Sequence, residues 1–76
     1  MVIKVLGSGC PKCKKLEENV RQALAETGKT AEVEKVTDMN QIMEYGVIMT
    51  PGLVIDEKVV SVGKVLAPKN IVSLLK

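Results

Sequence analysis

The sequence predicts an α/β domain whose four strands form one mixed sheet in the order β-α-β-α-β-β-α, with helices on both faces. Three observations carry this. The length of 76 residues allows one small core, so residues 1–76 are expected to form a single domain. The first two strand-like runs are joined through a long helical pattern, which predicts a right-handed parallel crossover. The last two are separated by only three polar residues, which predicts an antiparallel hairpin.

Each element has a local reason. Val2-Ile3-Lys4-Val5-Leu6 is apolar and rich in β-branched residues, reads as a strand buried on both faces, and ends at Gly7-Ser8-Gly9. Cys10-Pro11-Lys12-Cys13 then opens a helix, since Pro11 suits the first helical position, where a missing N–H costs nothing. Leu16, Val20, Ala23, Leu24 and Thr27 follow at helical spacing, and Gly28 stops the helix. Glu17 and Arg21 make an i,i+4 pair expected on the outer face.

Residues 31–36 alternate charge with apolar groups, as an edge strand does. Thr37 or Asp38 can cap a short helix through Met39, Ile42 and Met43, ending near Gly46, with both methionines expected as core filler. Thr50-Pro51 breaks the chain before a buried strand from Gly52 to Ile55. Asp56-Glu57-Lys58 turns into a strand from Val59 to Val62, though without an Asn-Gly or Asp-Gly signature. Pro68 starts a last helix with Ile71, Leu74 and Leu75 inward. The first and third strands are the most apolar and belong in the centre of the sheet.

Composition excludes several function classes. The net charge of +2 is too weak a field to point to nucleic acid or an anionic membrane. No apolar run approaches the roughly 20 residues that span a bilayer, and nothing in the first residues reads as a secretion signal, so a cytoplasmic location is expected. There is no histidine, which removes the commonest general base and the commonest metal ligand. Tyr45 is the only aromatic residue, so stacking platforms are not expected, and Tyr45 itself reads as packing at a helix end.

The two cysteines carry the chemistry. Cys10 falls at the helix N-cap and Cys13 at the third helical position. The unpaired N–H groups of the first turn and the positive end of the helix dipole favour a thiolate at Cys10. Lys12, Lys14 and Lys15 add positive charge, and Pro11 and Lys12 are the residues expected to tune the thiol. Residues three apart share a helix face, which puts Cys13 within disulfide reach. Cys10 then reads as nucleophile and Cys13 as resolving thiol. Three other readings stay open. A structural staple across four residues would stabilise by only about 2 kcal/mol. Two cysteines packed by coincidence would make this a passive α/β domain. Soft-metal capture, of the copper(I) type, uses two thiolates in the same place. Such carriers run β-α-β-β-α-β, however, and the pair alone cannot close a four-ligand zinc site.

Cys10-Pro11-Lys12-Cys13, Thr50-Pro51 and Gly63 in this β-α-β-α-β-β-α frame resemble the thioredoxin superfamily across essentially the whole chain. The stretch from Val5 to Cys13 is most similar to its small prokaryotic, glutaredoxin-like redox-active disulfide proteins. The resemblance implies a minimal thioredoxin fold with strand order 2-1-3-4. It also implies a cis-proline at Pro51, opposite the cysteines, with Thr50 offering backbone groups to an extended substrate strand and Gly63 allowing another chain to approach. There are departures. Gly9 stands where thioredoxins have Trp, no position matches their buried Asp, and Lys4 is given no relay role. Lys64-Val65-Leu66-Ala67 after Gly63 lacks the glutathione-binding pattern of glutaredoxins. Gly9, Pro11, Val47, Ile48 and Met49 are expected to form a small apolar surface around Cys10.

The expectation is a monomeric thiol–disulfide oxidoreductase that exchanges disulfides with protein partners and is restored by a separate reductase. No bound cofactor, metal, nucleic acid or membrane is implied.

Overall fold

The computed structural model describes residues 1–7 and 11–75. Its elements are β1 (Val2–Leu6), α1 (Pro11–Thr27), β2 (Glu32–Val36), α2 (Met39–Glu44), β3 (Gly52–Ile55), β4 (Lys58–Val62) and α3 (Pro68–Leu75). The sheet runs β2-β1-β3-β4, the predicted order. β1 pairs with β2 in parallel and with β3 antiparallel, and β3–β4 is an antiparallel hairpin. This is the minimal thioredoxin architecture.

Alternation along the central strands sorts the core into two layers. Ile3 and Val5 of β1 and Leu53 and Ile55 of β3 pack with Leu16, Val20 and Ala23 of α1 and Ile71 and Leu75 of α3. On the other face, Leu6 and Val54 meet Ile42 of α2 and Val47. Asn19, the one buried polar residue among those described, donates Nδ2–H to the Leu66 carbonyl at 2.8 Å and ties α1 to the segment before α3. Its hydrogen bond offsets the cost of burying an amide.

Local signals act as expected at most ends. α1 starts on Pro11 and stops before Gly28, and the Asp38 carboxylate caps α2 by accepting from the Asn40 N–H at 2.8 Å. The hairpin turn takes an unexpected form. Asp56 (φ 49°) and Glu57 (φ 68°) are both left-handed, the two-residue geometry that matches strand twist and usually calls for Asn or Gly. The conformation is held by side chains. Asp56 Oδ1 accepts from the Val2 N–H at 3.0 Å, and Glu57 binds Lys4 and Tyr45.

Two expectations about burial are corrected. Met39 and Met43 are exposed, because the six-residue α2 buries only Ile42 and the layer beneath it is already filled by Leu6, Val47 and Val54. Leu74 is also turned out. α3 buries Ile71 and Leu75, four residues apart, which leaves Leu74 on the flank beside β4.

Lys4 points to the α2 face of β1, so that strand is not wholly apolar on both sides. Its ammonium donates to the Tyr45 hydroxyl at 2.8 Å and to Glu57 Oε1 at 2.9 Å, and Tyr45 O–H donates to Glu57 Oε2 at 3.1 Å. Tyr45 therefore does more than pack at a helix end: its hydroxyl joins α2 to β1 and the hairpin. The cluster lines a pocket of about 420 Å³ with Val36, Gln41 and Glu44, which shares no residue with the surroundings of Cys13. Lys4 first, then Tyr45, holds the Glu57 carboxyl below its ordinary 4.5. A depressed folded pKa adds stability above the unfolded value that is lost as pH falls through the folded one. The denaturation midpoint is therefore expected to drop as pH falls below about 4.5, and less steeply in Glu57→Gln. Equal slopes for the two proteins would contradict this.

Candidate functional site

β1 ends at Leu6, and Gly7 closes it by donating its N–H to the Val36 carbonyl at 2.9 Å. α1 begins at Pro11, which is exposed, as is Lys12. Cys13 is the third residue of this helix and only 6% exposed. Cys10, with Ser8 and Gly9, lies outside the described residues, so its expected place at the N-cap has no structural counterpart here.

The side chain of Cys13 sits over Gly7. A Cβ on Gly7 would fall well inside contact distance of Cys13 Sγ, 3.2 Å from Cys13 Cβ and 3.8 Å from Thr50 Cβ. The missing side chain of Gly7 is thus the space the Cys13 sulfur occupies, and Thr50 borders the same space. In the sequence, Gly7 marks only the end of a strand. The signal for its role was the position itself, the first residue after β1 on the side where α1 returns.

Thr50 and Pro51 are joined by a cis peptide bond, with Thr50 half-buried and Pro51 buried. The Pro51 carbonyl accepts from the Gly63 N–H at 2.8 Å. Gly63 has φ +72°, and a Cβ there would lie 3.3 Å from Met49 Cβ. The left-handed conformation favours glycine, and a Cβ there would also press on Met49. Gly63→Val is expected to destabilise the domain by about 1–3 kcal/mol and push Met49 aside, read as a lower urea midpoint with an altered Met49 methyl resonance. An unchanged midpoint would show that the loop adapts. The hydrogen bond to the Pro51 carbonyl ties Gly63 to the Thr50-Pro51 step.

The expected apolar surface needs one correction. Val47 is 2% exposed because it belongs to the core layer under α2, where it packs against Gly52. Ile48 and Met49 do face solvent, at 93% and 65% exposed, immediately before the cis bond. These two, with Pro11, are the described apolar residues left at the surface here.

A family model for the thioredoxin domain matches residues 1–76. The chain belongs to the thioredoxin family. It is similar to the thioredoxin of Methanothermobacter thermautotrophicus, 40% identical over 75 residues that span 99% of this chain and 97% of that one. It is also similar to the thioredoxin of Methanocaldococcus jannaschii, 49% identical over 35 residues, 46% of this chain and 41% of that relative.

For a thioredoxin-family chain, the arrangement offers a sheltered sulfur at Cys13 behind the exposed Pro11 and Lys12, and a cis Thr50-Pro51 step preceded by the exposed Ile48 and Met49. Behind Cys13 lies a cavity of about 40 Å³ whose lining includes Lys14, Glu17, Lys35 and Thr37. The i,i+4 pairing places Glu17 on the outer face of α1, yet its side chain is only 15% exposed. One oxygen accepts from Arg21 Nη2 at 2.9 Å and the other lies 3.1 Å from Lys35 Nζ. Arg21 first, and then Lys35, holds the Glu17 carboxyl below its ordinary value. Among the described residues, no group of three or more His, Cys, Asp or Glu could hold a metal ion, and no helix is long and apolar enough to cross a membrane.

Proposed function

We propose that this protein is a dithiol–disulfide oxidoreductase acting on disulfides of protein partners, with Cys10 as nucleophile and Cys13 as resolving thiol. The observation that carries the reading is the seating of the Cys13 sulfur over Gly7, in a space that Thr50 of the cis Thr50-Pro51 step also borders. Family membership over the whole chain agrees with it.

The chemistry follows from the two positions. The Cys10 thiolate, favoured by the open N–H groups of the helix start and by Lys12, attacks one sulfur of a partner's disulfide and expels the other as thiolate. A mixed disulfide between Cys10 and the partner results. Cys13 then gives up its proton and attacks the Cys10 sulfur, forming the Cys10–Cys13 disulfide and releasing the partner's second thiolate. Two electrons have passed to the partner, and a separate reductase returns them. An extended partner segment would lie along Thr50, using backbone groups beside the cis bond, with Ile48 and Met49 against its apolar side chains.

Cys10→Ser is expected to abolish reduction of a protein disulfide such as that of insulin. Cys13→Ser is expected to form the mixed disulfide and stall, leaving a covalent adduct that dithiothreitol releases. If Cys13→Ser turns insulin over as fast as the unaltered protein, the resolving role is wrong.

A further inference from the structure

Both core layers are built without methionine, and all four methionines of the chain are exposed. A thioether in reach of solvent is open to oxidation, which turns an apolar side chain into a polar one. Met1 lies at the N-terminus, and Met39 and Met43 lie on α2. Met49 stands elsewhere, immediately before Thr50 of the cis step, with its side chain over Gly63. A Cβ on Gly63 would meet Met49 Cβ at 3.3 Å, Cε at 3.5 Å and Sδ at 3.8 Å, so the thioether runs along the Gly63 backbone. The Gly63 N–H is already given to the Pro51 carbonyl at 2.8 Å. An oxygen added to the sulfur would therefore find no free donor in that amide and would turn to water.

We propose that Met49 is a peroxide-sensitive modification site whose oxidation weakens the binding of protein partners. The sulfur lone pair attacks one oxygen of a hydroperoxide, the O–O bond breaks, and the sulfoxide forms as water or an alcohol leaves. The thioether loses two electrons and the peroxide gains them. Apolar surface beside the cis step becomes a hydrated dipole, which an apolar partner segment has to strip of water. Cys10 and Cys13 keep their own chemistry. A methionine sulfoxide reductase restores the thioether. The proposal rests on the redox reading above, in which Met49 packs against the partner.

The test treats the disulfide form with hydrogen peroxide, so that neither cysteine is a thiol. Dithiothreitol then reopens the disulfide and leaves sulfoxides in place. Peptide masses locate the sulfoxides, and insulin reduction is measured against insulin concentration. Met49 sulfoxide is expected to lower kcat/KM about fivefold through KM, with kcat retained, the size of one lost apolar contact. The double variant Met39→Leu, Met43→Leu is expected to lose the same factor. Met49→Leu, compared with itself before and after peroxide, is expected to lose nothing. Met49→Gln, polar and of similar length, is expected to show the raised KM without peroxide. An equal loss in Met49→Leu, or full kcat/KM in protein carrying Met49 sulfoxide, would overturn the proposal. Unaltered protein that reduces no insulin before peroxide would overturn the redox reading, and the proposal with it.

Discussion

Gly7→Ala is expected to abolish most disulfide exchange and to lower stability by about 1–3 kcal/mol, the usual cost of forcing a methyl group into a packed site. The new Cβ and the Cys13 sulfur cannot share the space between β1 and α1, and Thr50 closes the other side. The sulfur or the start of the helix has to move, which displaces the resolving thiol from the line on which it attacks. Urea unfolding and insulin reduction measured on the same variant separate the two effects. A folded variant with slow, adduct-accumulating turnover is the expected outcome. Unaltered turnover and an unaltered midpoint would mean that Cys13 does not need this seat.

Leu16→Ala is expected to have the largest effect on stability, about 2–5 kcal/mol. Leu16 is wholly buried between α1 and the sheet, in the layer that joins β1, β3 and α3. A domain of this size has a total stability of only about 4–11 kcal/mol, so the variant is expected to lose a large share of it. Met43→Ala, at 66% exposed, is expected to stay within about 0.5 kcal/mol of the unaltered protein. A urea series on the three proteins checks both values. Equal midpoints for all three would contradict the division between core and surface drawn here.

Much of the fold is legible in the sequence because period and punctuation agree. The apolar runs at 2–6 and 52–55 and Pro11 and Gly28 around α1 each carry one local rule, and the tertiary structure follows it; the polar link to β4 is also legible, but Lys58 joins the strand and leaves a two-residue turn at Asp56 and Glu57. Legibility fails where packing decides. Met39 and Met43 match a helical stripe, but nothing in the pattern tells that the layer under α2 is already full. Leu74 fits the inward period of α3 equally well and is excluded only by where that helix lies on the sheet.

The site divides in the same way. Cysteine spacing and Thr50-Pro51 can be read directly from the chain. Gly7 beneath Cys13 and the Glu17–Lys35 pair cannot, because each depends on which side of α1 faces β1 and β2. The same holds for Lys4, Tyr45 and Glu57, which are distant in sequence and meet only once the sheet has formed.

The central claim is that Cys10 and Cys13 form a reversible redox couple. Its most direct test is the oxidised fraction of the metal-free protein across defined dithiothreitol redox buffers, read by thiol alkylation and mass. The account predicts one two-electron transition in which both cysteines change together, with a midpoint between about −300 and −150 mV. Failure to form a reversible intramolecular disulfide would contradict it.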